Sequence, residues 1–317
     1  MQPSTPQQMK AAAIDRYGGP EVLHAQKLPV PRPKSGQVLI RLEAAGVGAW
    51  DPAVRAGEFE LGGRGFPKVL GNDGAGEVVA VGSRVKRVRP GDRVYAYSME
   101  GGFYAEYAAV DEACVAKLPR GLSAEEAGAL GADGITALRG LVDTLHLARG
   151  EKLLVFGASG GIGHLAVQLA KRLGARVFAV ASGEDGVRLA RRLGVDEAVD
   201  GKHGAVVEAL RRFAPDGVDA ALVLANGRGL DAALRHLREG GRLAYPNGVE
   251  PEPQAPEGIF ARAYDGIPSR EAFEQLNALV AQGPFHVEVR SYPLEDAAQA
   301  HRDVEKHHLG KLALRMH

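Results

Sequence analysis

Four apolar residues, Leu153-Leu154-Val155-Phe156, run directly into GASGGIG at 157–163, and the residues that follow repeat apolar side chains at helical spacing. A strand that ends in a glycine turn and restarts as a helix leaves few folds open. It gathers free helix N–H groups and the positive end of the helix dipole at one spot, a geometry that receives a pyrophosphate. Ala158, Gly160 and Gly163 keep the G-x-G-x-x-G spacing with Ala in the first place, and Gly157, Ser159, Gly161 and Ile162 complete the candidate loop. Ile162, Leu165, Ala166, Leu169 and Leu173 form the stripe that packs such a helix on a sheet. Any strand-to-helix turn can be glycine-rich, but here further strand and helix units follow.

From residue 152 the chain alternates strands (152–156, 176–181, 218–224, 242–245) with amphipathic helices (162–173, 186–193, 206–213, 230–237). Continuous apolar strands between such helices require a parallel sheet covered on both faces, so this part reads as a doubly wound α/β domain. Ahead of it Ser123 and Glu126 have the spacing of a capping box that opens a helical stretch to about residue 147. Residues 9–122 differ. Short β-type runs at 38–42, 76–81, 93–97 and 104–110 are cut by glycine and proline turns, including Pro29, Pro31 and Pro33. The tail from 268 reads as a helix at 270–282, a strand at 286–289, a helix at 294–306 and a last strand at 311–314.

Composition narrows the partners. Lys plus Arg and Asp plus Glu both number 39 in 317 residues, which argues against bulk attraction to nucleic acid or an anionic membrane. One cysteine, Cys114, cannot form an internal disulfide or a multi-cysteine zinc site, and a reducing cytoplasm is the natural home. No apolar run reaches the length of a membrane span. MQPSTPQQ at 1–8 has neither the positive nor the apolar region of a signal peptide and reads as a disordered leader.

The end of the second parallel strand bears on which nicotinamide cofactor fits. Sites for NAD place a carboxylate about 20 residues beyond the glycine loop, where it takes the ribose hydroxyls and repels a 2′-phosphate. This chain has Ser182 there, with Arg188 nearby and Glu184 and Asp185 in the same loop. NADPH is favoured and NADH stays open; a solvated helix charge is the alternative role for Arg188.

Several segments together carry a resemblance. Gly150-Glu151, Leu154, ASGG at 158–161, Gly163, Gln168 and Lys171, with PKVLGNDGAGEVVAVG at 67–82, PGDRV at 90–94, GITAL at 134–138 and HHLGKLAL at 307–314, resemble the zinc-independent quinone oxidoreductase branch of the medium-chain dehydrogenase/reductase superfamily. The likeness runs from Met9 to the C-terminus. It implies a GroES-like β-rich catalytic domain formed by 9–122 and 268–317, interrupted by a Rossmann NAD(P)-binding domain at 123–267, with the nicotinamide at the floor of a cleft between them. It also implies a homodimer through edge strands near 242–264. By the same resemblance Thr136 contacts the nicotinamide end, Asn247 and Gly248 line the cofactor channel, and Lys311 lies near the nicotinamide side.

In zinc-dependent members the positions of Gly48, Asn72 and Ala132 carry the metal ligands. Glycine and alanine have no donor and an amide oxygen is a poor zinc ligand, so no zinc is expected. Without a Lewis acid to polarise a carbonyl, the acceptors left are those that need less help, quinones and α,β-unsaturated carbonyls. Trp50, the only tryptophan, offers a face for a flat ring; Asp51 orders its loop; Asn72 offers a hydrogen bond to a developing oxyanion. Asp73, Tyr95, Tyr97 and Tyr104 are further residues of that region. This chain departs from the resemblance at Gly48 and Ala53, where polar residues are usual, and at Gly186 and Gly201, where a Lys and a Tyr commonly grip the 2′-phosphate. An enoyl-thioester reductase is the alternative enzyme, with Arg55, Arg64 and Lys68 as a basic approach for carrier phosphates. A third reading is an NADPH-binding redox sensor or structural partner without efficient turnover.

Overall fold

A computed structural model describes residues 5–59 and 65–317. The chain divides into two compact units: residues up to Ala132 with Pro268–Asn277 and Val289–His317, and Asp133–Ile267 with Ala278–Glu288. Two of the four divisions fall inside helices, Ala124–Leu138 and Arg270–Val280. Arg64 and the first four residues of the expected leader lie outside the described residues.

The first unit is built on two sheets. In the seven-stranded sheet the path runs Val289–Pro293, Lys311–Arg315, Gln37–Val47, Asp73–Val81, Arg93–Tyr97, Val115–Lys117, and Tyr107–Asp111 also pairs with Gln37–Val47. Two register shifts along Gln37–Val47 and Asp73–Val81 let these long strands bend. Val38, Ile40, Leu42, Val78, Phe103, Leu312 and Leu314 are fully buried between the layers. The small sheet has the order Leu23–Pro29, Gln8–Ile14, Lys68–Val69. Gln8 therefore belongs to a strand, where it pairs with Pro29, and not to a leader. Pro29 is tolerated because it closes an edge strand, where no ladder donor is required of it.

The second unit is a six-stranded parallel sheet in the order Glu197–Asp200, Arg176–Ala181, Lys152–Phe156, Val218–Val223, Leu237–Pro246, Phe260–Tyr264. The chain starts in the middle, at Lys152–Phe156, fills one side, then crosses to the other. That reversal opens a crevice at the carboxyl ends of the central strands. Leu154, Phe178, Val180, Leu210, Ala221 and Leu243 fill one face of the sheet. Residues 278–288 join this unit because Arg172 binds them. Its guanidinium donates to the carbonyls of Leu279, Val280, Gly283 and Pro284, and Gln168 exchanges two hydrogen bonds with the backbone of His286. Residues 286–288, read as part of a strand, are held by these polar contacts instead, and the strand starts at Val289.

Ser123 and Glu126 exchange both bonds of a capping box at 2.8 and 3.2 Å. The helix they open does not run on as one α-helix: after Leu138 it widens into a π-helical turn, Arg139–Thr144.

Candidate functional site

The glycine turn is set by two close approaches. Gly157 has φ +92°, a conformation that penalises any Cβ, and its N–H and that of Ala158 both donate to Val180 O at 3.0 and 2.9 Å. A Cβ on Gly163 would stand 2.1 Å from the Gly157 carbonyl oxygen, so no side chain fits between the helix Gly161–Arg172 and the turn. Gly160 is the opposite case. Its backbone is extended, and a Cβ there would meet nothing nearer than Gly157 O at 3.7 Å. No side chain caps this helix start, so space and N–H groups coincide at Gly160, which is what a pyrophosphate needs.

Ser159 is 4% exposed and its Oγ accepts the Ser182 N–H at 3.3 Å, tying the glycine loop to the next strand-to-helix turn. His164 is fully buried. It donates from Nδ1 to Gly160 O at 3.0 Å, its Nε2 has no hydrogen-bond partner among the described residues, and burial lowers its pKa. Among ten histidines expected to be mostly surface or packing residues, this one braces the glycine turn; its place four residues after Gly160 was the available signal.

Other expected cofactor residues fall on the same edge of the sheet. Ser182 follows the strand Arg176–Ala181, and Asn247 and Gly248 follow Leu237–Pro246, all at the carboxyl ends of parallel strands. Asn247 is exposed and donates from Nδ2 to Asp265 Oδ1 at 2.8 Å. Thr136 is 3% exposed and packs on Gly266, just past the strand Phe260–Tyr264. Arg188 lies on an exposed helix face, its guanidinium 3.7 Å from Glu184. It borders an open cavity of about 450 Å³ with Arg191, Asp200 and Arg212. Gly186 packs on Ser159: a Cβ there would come 2.9 Å from Ser159 Oγ.

In the first unit Arg55, Tyr104 and Asp51 are joined through His301, a residue the sequence did not single out, in a buried polar chain. Arg55 Nη1 donates to His301 Nδ1 at 3.0 Å; a guanidinium can only donate, so the imidazole carries its hydrogen on Nε2. That nitrogen lies 3.2 Å from Tyr104 Oη, and the tyrosine passes its own hydrogen to Asp51 Oδ2 at 2.5 Å. The same oxygen accepts the Gly48 N–H at 2.7 Å. Burial pushes the Asp51 carboxyl up to about 6 and the His301 imidazole down to about 3, the latter helped by the Arg55 charge. Arg55 is 5% exposed and occupied in this chain, so it does not form the basic surface read from the sequence; Lys68 lies over the Tyr17 ring at 5.7 Å.

Trp50 stacks on Phe59 at 6.2 Å between centroids, leaving Phe59 44% exposed. Asn72 commits one amide N–H to Ser98 O at 2.9 Å. Lys311 is buried in an ion pair with Asp73 at 3.2 Å, each side chain 2% exposed, and Asp73 also accepts the Ala132 N–H at 2.9 Å. Tyr95 donates to Asn277 at 2.8 Å and Tyr97 to the Met99 sulfur at 3.0 Å. Burial raises the pKa of the Cys114 thiol to about 11, as suits an unreactive packing residue. Among the described residues no group of three His, Cys, Asp or Glu side chains is placed to hold a metal, and no helix is long and apolar enough to cross a membrane.

Comparison with known proteins agrees with this architecture. Residues 34–120 match the alcohol dehydrogenase GroES-like domain, and 161–258 match the zinc-binding dehydrogenase domain. Quinone oxidoreductase of Mus musculus is 33% identical over 311 residues, 93% of this chain and 94% of its own. A solved NAD-dependent alcohol dehydrogenase is 32% identical with a TM-score of 0.86, covering 98% of this chain and 100% of that one. A mycobacterial protein solved with NADPH is 29% identical with a TM-score of 0.82, covering 97% and 99%. The chain belongs to the medium-chain dehydrogenase/reductase superfamily and is an oxidoreductase with quinone oxidoreductases among its relatives.

Two outcomes follow from the geometry. Gly160→Val should fold with an unchanged melting temperature and lose more than about tenfold in affinity for a dinucleotide, whereas Gly163→Ala should lose folded protein itself; titration beside thermal melts checks both. Asp51 has a folded pKa above its ordinary 3.8, so the stability it contributes is fully present below that value and is lost as pH rises through about 6. Asp51→Asn should therefore gain about 3 kcal/mol relative to the parent between about pH 4 and about pH 7.5 in denaturant unfolding, and a pH-independent difference contradicts the assignment.

Proposed function

We propose that the protein is a zinc-free, NADPH-dependent reductase of quinones or α,β-unsaturated carbonyls. The observation that carries this reading is the uncapped, open turn at Gly160 on the carboxyl edge of a parallel sheet, in a chain one third identical to a quinone oxidoreductase. NADPH as the reductant is supported by the relative solved with it and by Ser182 where a carboxylate is usual in NAD sites; NADH remains usable. The donor chemistry of Gly48, Asn72 and Ala132 supports the absence of zinc, since two of these side chains have no ligand atom.

When bound, the nicotinamide supplies hydride to an electrophilic carbon of the acceptor. The loop residues Gly157 to Gly163 hold the pyrophosphate, and Ser182 and Arg188 face the adenosine ribose. Thr136, Asn247 and Gly248 are assigned to the rest of the cofactor, and Lys311 acts through its ion pair with Asp73. Trp50 and Asn72 are assigned to the acceptor, Trp50 by stacking and Asn72 through the amide N–H that Ser98 does not use. Asp51 fixes the loop that carries Trp50 by accepting the Gly48 N–H and anchoring to Tyr104.

The cytoplasm is proposed as its location. A homodimer is proposed through the outermost strand Phe260–Tyr264, whose first four residues are exposed, Phe260 by 60%. Light scattering that gives a monomer contradicts the dimer.

A screen of a simple quinone, an enone and an enoyl-CoA, read as loss of the reduced-nicotinamide absorbance, tests the activity. Turnover is expected with the first two, and Trp50→Ala should raise KM for the quinone by about tenfold through loss of aromatic contact. Turnover with enoyl-CoA alone supports the thioester reductase, and tight NADPH binding with no turnover supports the sensor or structural role.

A further inference from the structure

The turn after the second strand of a Rossmann-type sheet is where the adenosine ribose arrives, and a carboxylate at the end of that strand usually selects a 2′-hydroxyl. This chain has Ser182 in that place, yet the turn does not lack a carboxylate. Asp200, the last residue of the neighbouring strand Glu197–Asp200, pairs in register with Ala181 and reaches over to it. Its Oδ1 accepts the N–H of Gly183 at 2.9 Å and that of Lys202 at 2.9 Å, and its Oδ2 lies 3.1 Å from His203 Nδ1. The side chain is 15% exposed.

We propose that Asp200 is a specificity-determining residue of the cofactor site, delivering from the adjacent strand the negative charge that the second strand lacks and so keeping NADH competitive with NADPH. The inference rests on the reading of the glycine loop as a dinucleotide site. Two physical effects carry it. Gly183 is the first residue of the helix Gly183–Arg192, and its N–H, a natural donor to a phosphate, is already taken by Asp200. A fixed carboxylate beside a dianionic 2′-phosphate also opposes it directly.

The three arginines that border the same cavity as Asp200 have partners of their own: Arg188 lies 3.7 Å from Glu184, Arg212 pairs with Glu208 at 2.9 Å, and Arg191 donates to Ala198 O at 3.4 Å. Glu184 and Asp185 add negative charge on the helix, while Arg188 is 69% exposed and stands nearest Glu184. Lys202 is exposed and His203 is 84% exposed, so water screens both cations. The N–H of Lys202 first, then that of Gly183, holds the Asp200 carboxyl below its ordinary range, which keeps it ionised at working pH.

Fluorescence titration of the full-length protein with NADPH and NADH tests the proposal. The parent should bind the two within about tenfold of each other, and Asp200→Asn should tighten NADPH by about tenfold while NADH stays within about threefold. The amide oxygen of Asn still accepts the Gly183 N–H, so only the charge is removed. An unchanged ratio in folded Asp200→Asn overturns the inference, as does a parent that prefers NADPH by more than about a hundredfold; the parent ratio decides alone if the variant does not fold. Gly160→Val separates the two levels. If it still binds both cofactors the loop reading fails, and if it loses both while Asp200→Asn keeps the parent ratio, only the role of Asp200 fails.

Discussion

The second unit depends on one steric fact, the contact between the Gly157 carbonyl and the α-carbon of Gly163. Because no Cβ fits there, the helix Gly161–Arg172 packs directly on the end of its strand, and its first N–H groups face outward from the middle of the sheet. His164 braces the same turn from behind, spending its Nδ1 hydrogen on Gly160 O. Ser159 then links this turn to the one at Ser182. The positions of two candidate cofactor segments, the glycine loop and the turn at Ser182, therefore follow from one glycine contact, one histidine and one serine hydroxyl.

The first unit is organised by polar groups sealed inside apolar layers. The sequence Arg55, His301, Tyr104, Asp51 is directional because its first member can only donate and its last accepts twice. Burying such a chain is favourable only when each link is made, since an unpaired member would keep the full desolvation penalty. Asp73 and Lys311 present the same logic as an ion pair: removing either partner leaves the other's buried charge without its opposite, whatever the pair contributes when intact. These residues hold the 48–51 loop and the end of the chain in place.

Much of this was legible in the sequence. The parallel strands at 152–156 and 176–181 and the capping box at Ser123 announce themselves through local pattern, because apolar runs and caps act over a few residues. What was not legible depends on contacts distant along the chain. Arg55 reads as a surface charge until His301 is placed against it. Asp200 belongs to no motif, and its role appears only when strand register puts it opposite Ala181. The strand Leu23–Pro29 was hidden by a Pro that an edge tolerates, and Gln8–Ile14, the middle strand of the small sheet, starts inside the stretch read as a leader. Residues 278–288 were assigned with the tail because nothing local reveals that Arg172 holds them.

The strand Lys311–Arg315 lies between Val289–Pro293 and Gln37–Val47 and brings in Lys311. During synthesis, then, the first 132 residues leave the ribosome well before the strand that completes their sheet and the cation that neutralises Asp73. The contiguous stretch Asp133–Ile267 has no such wait for its strands. Vectorial folding would favour the later-made unit first, with the earlier segment exposing an unpaired strand edge until Lys311–Arg315 emerges, the interval in which a chaperone has most to shield.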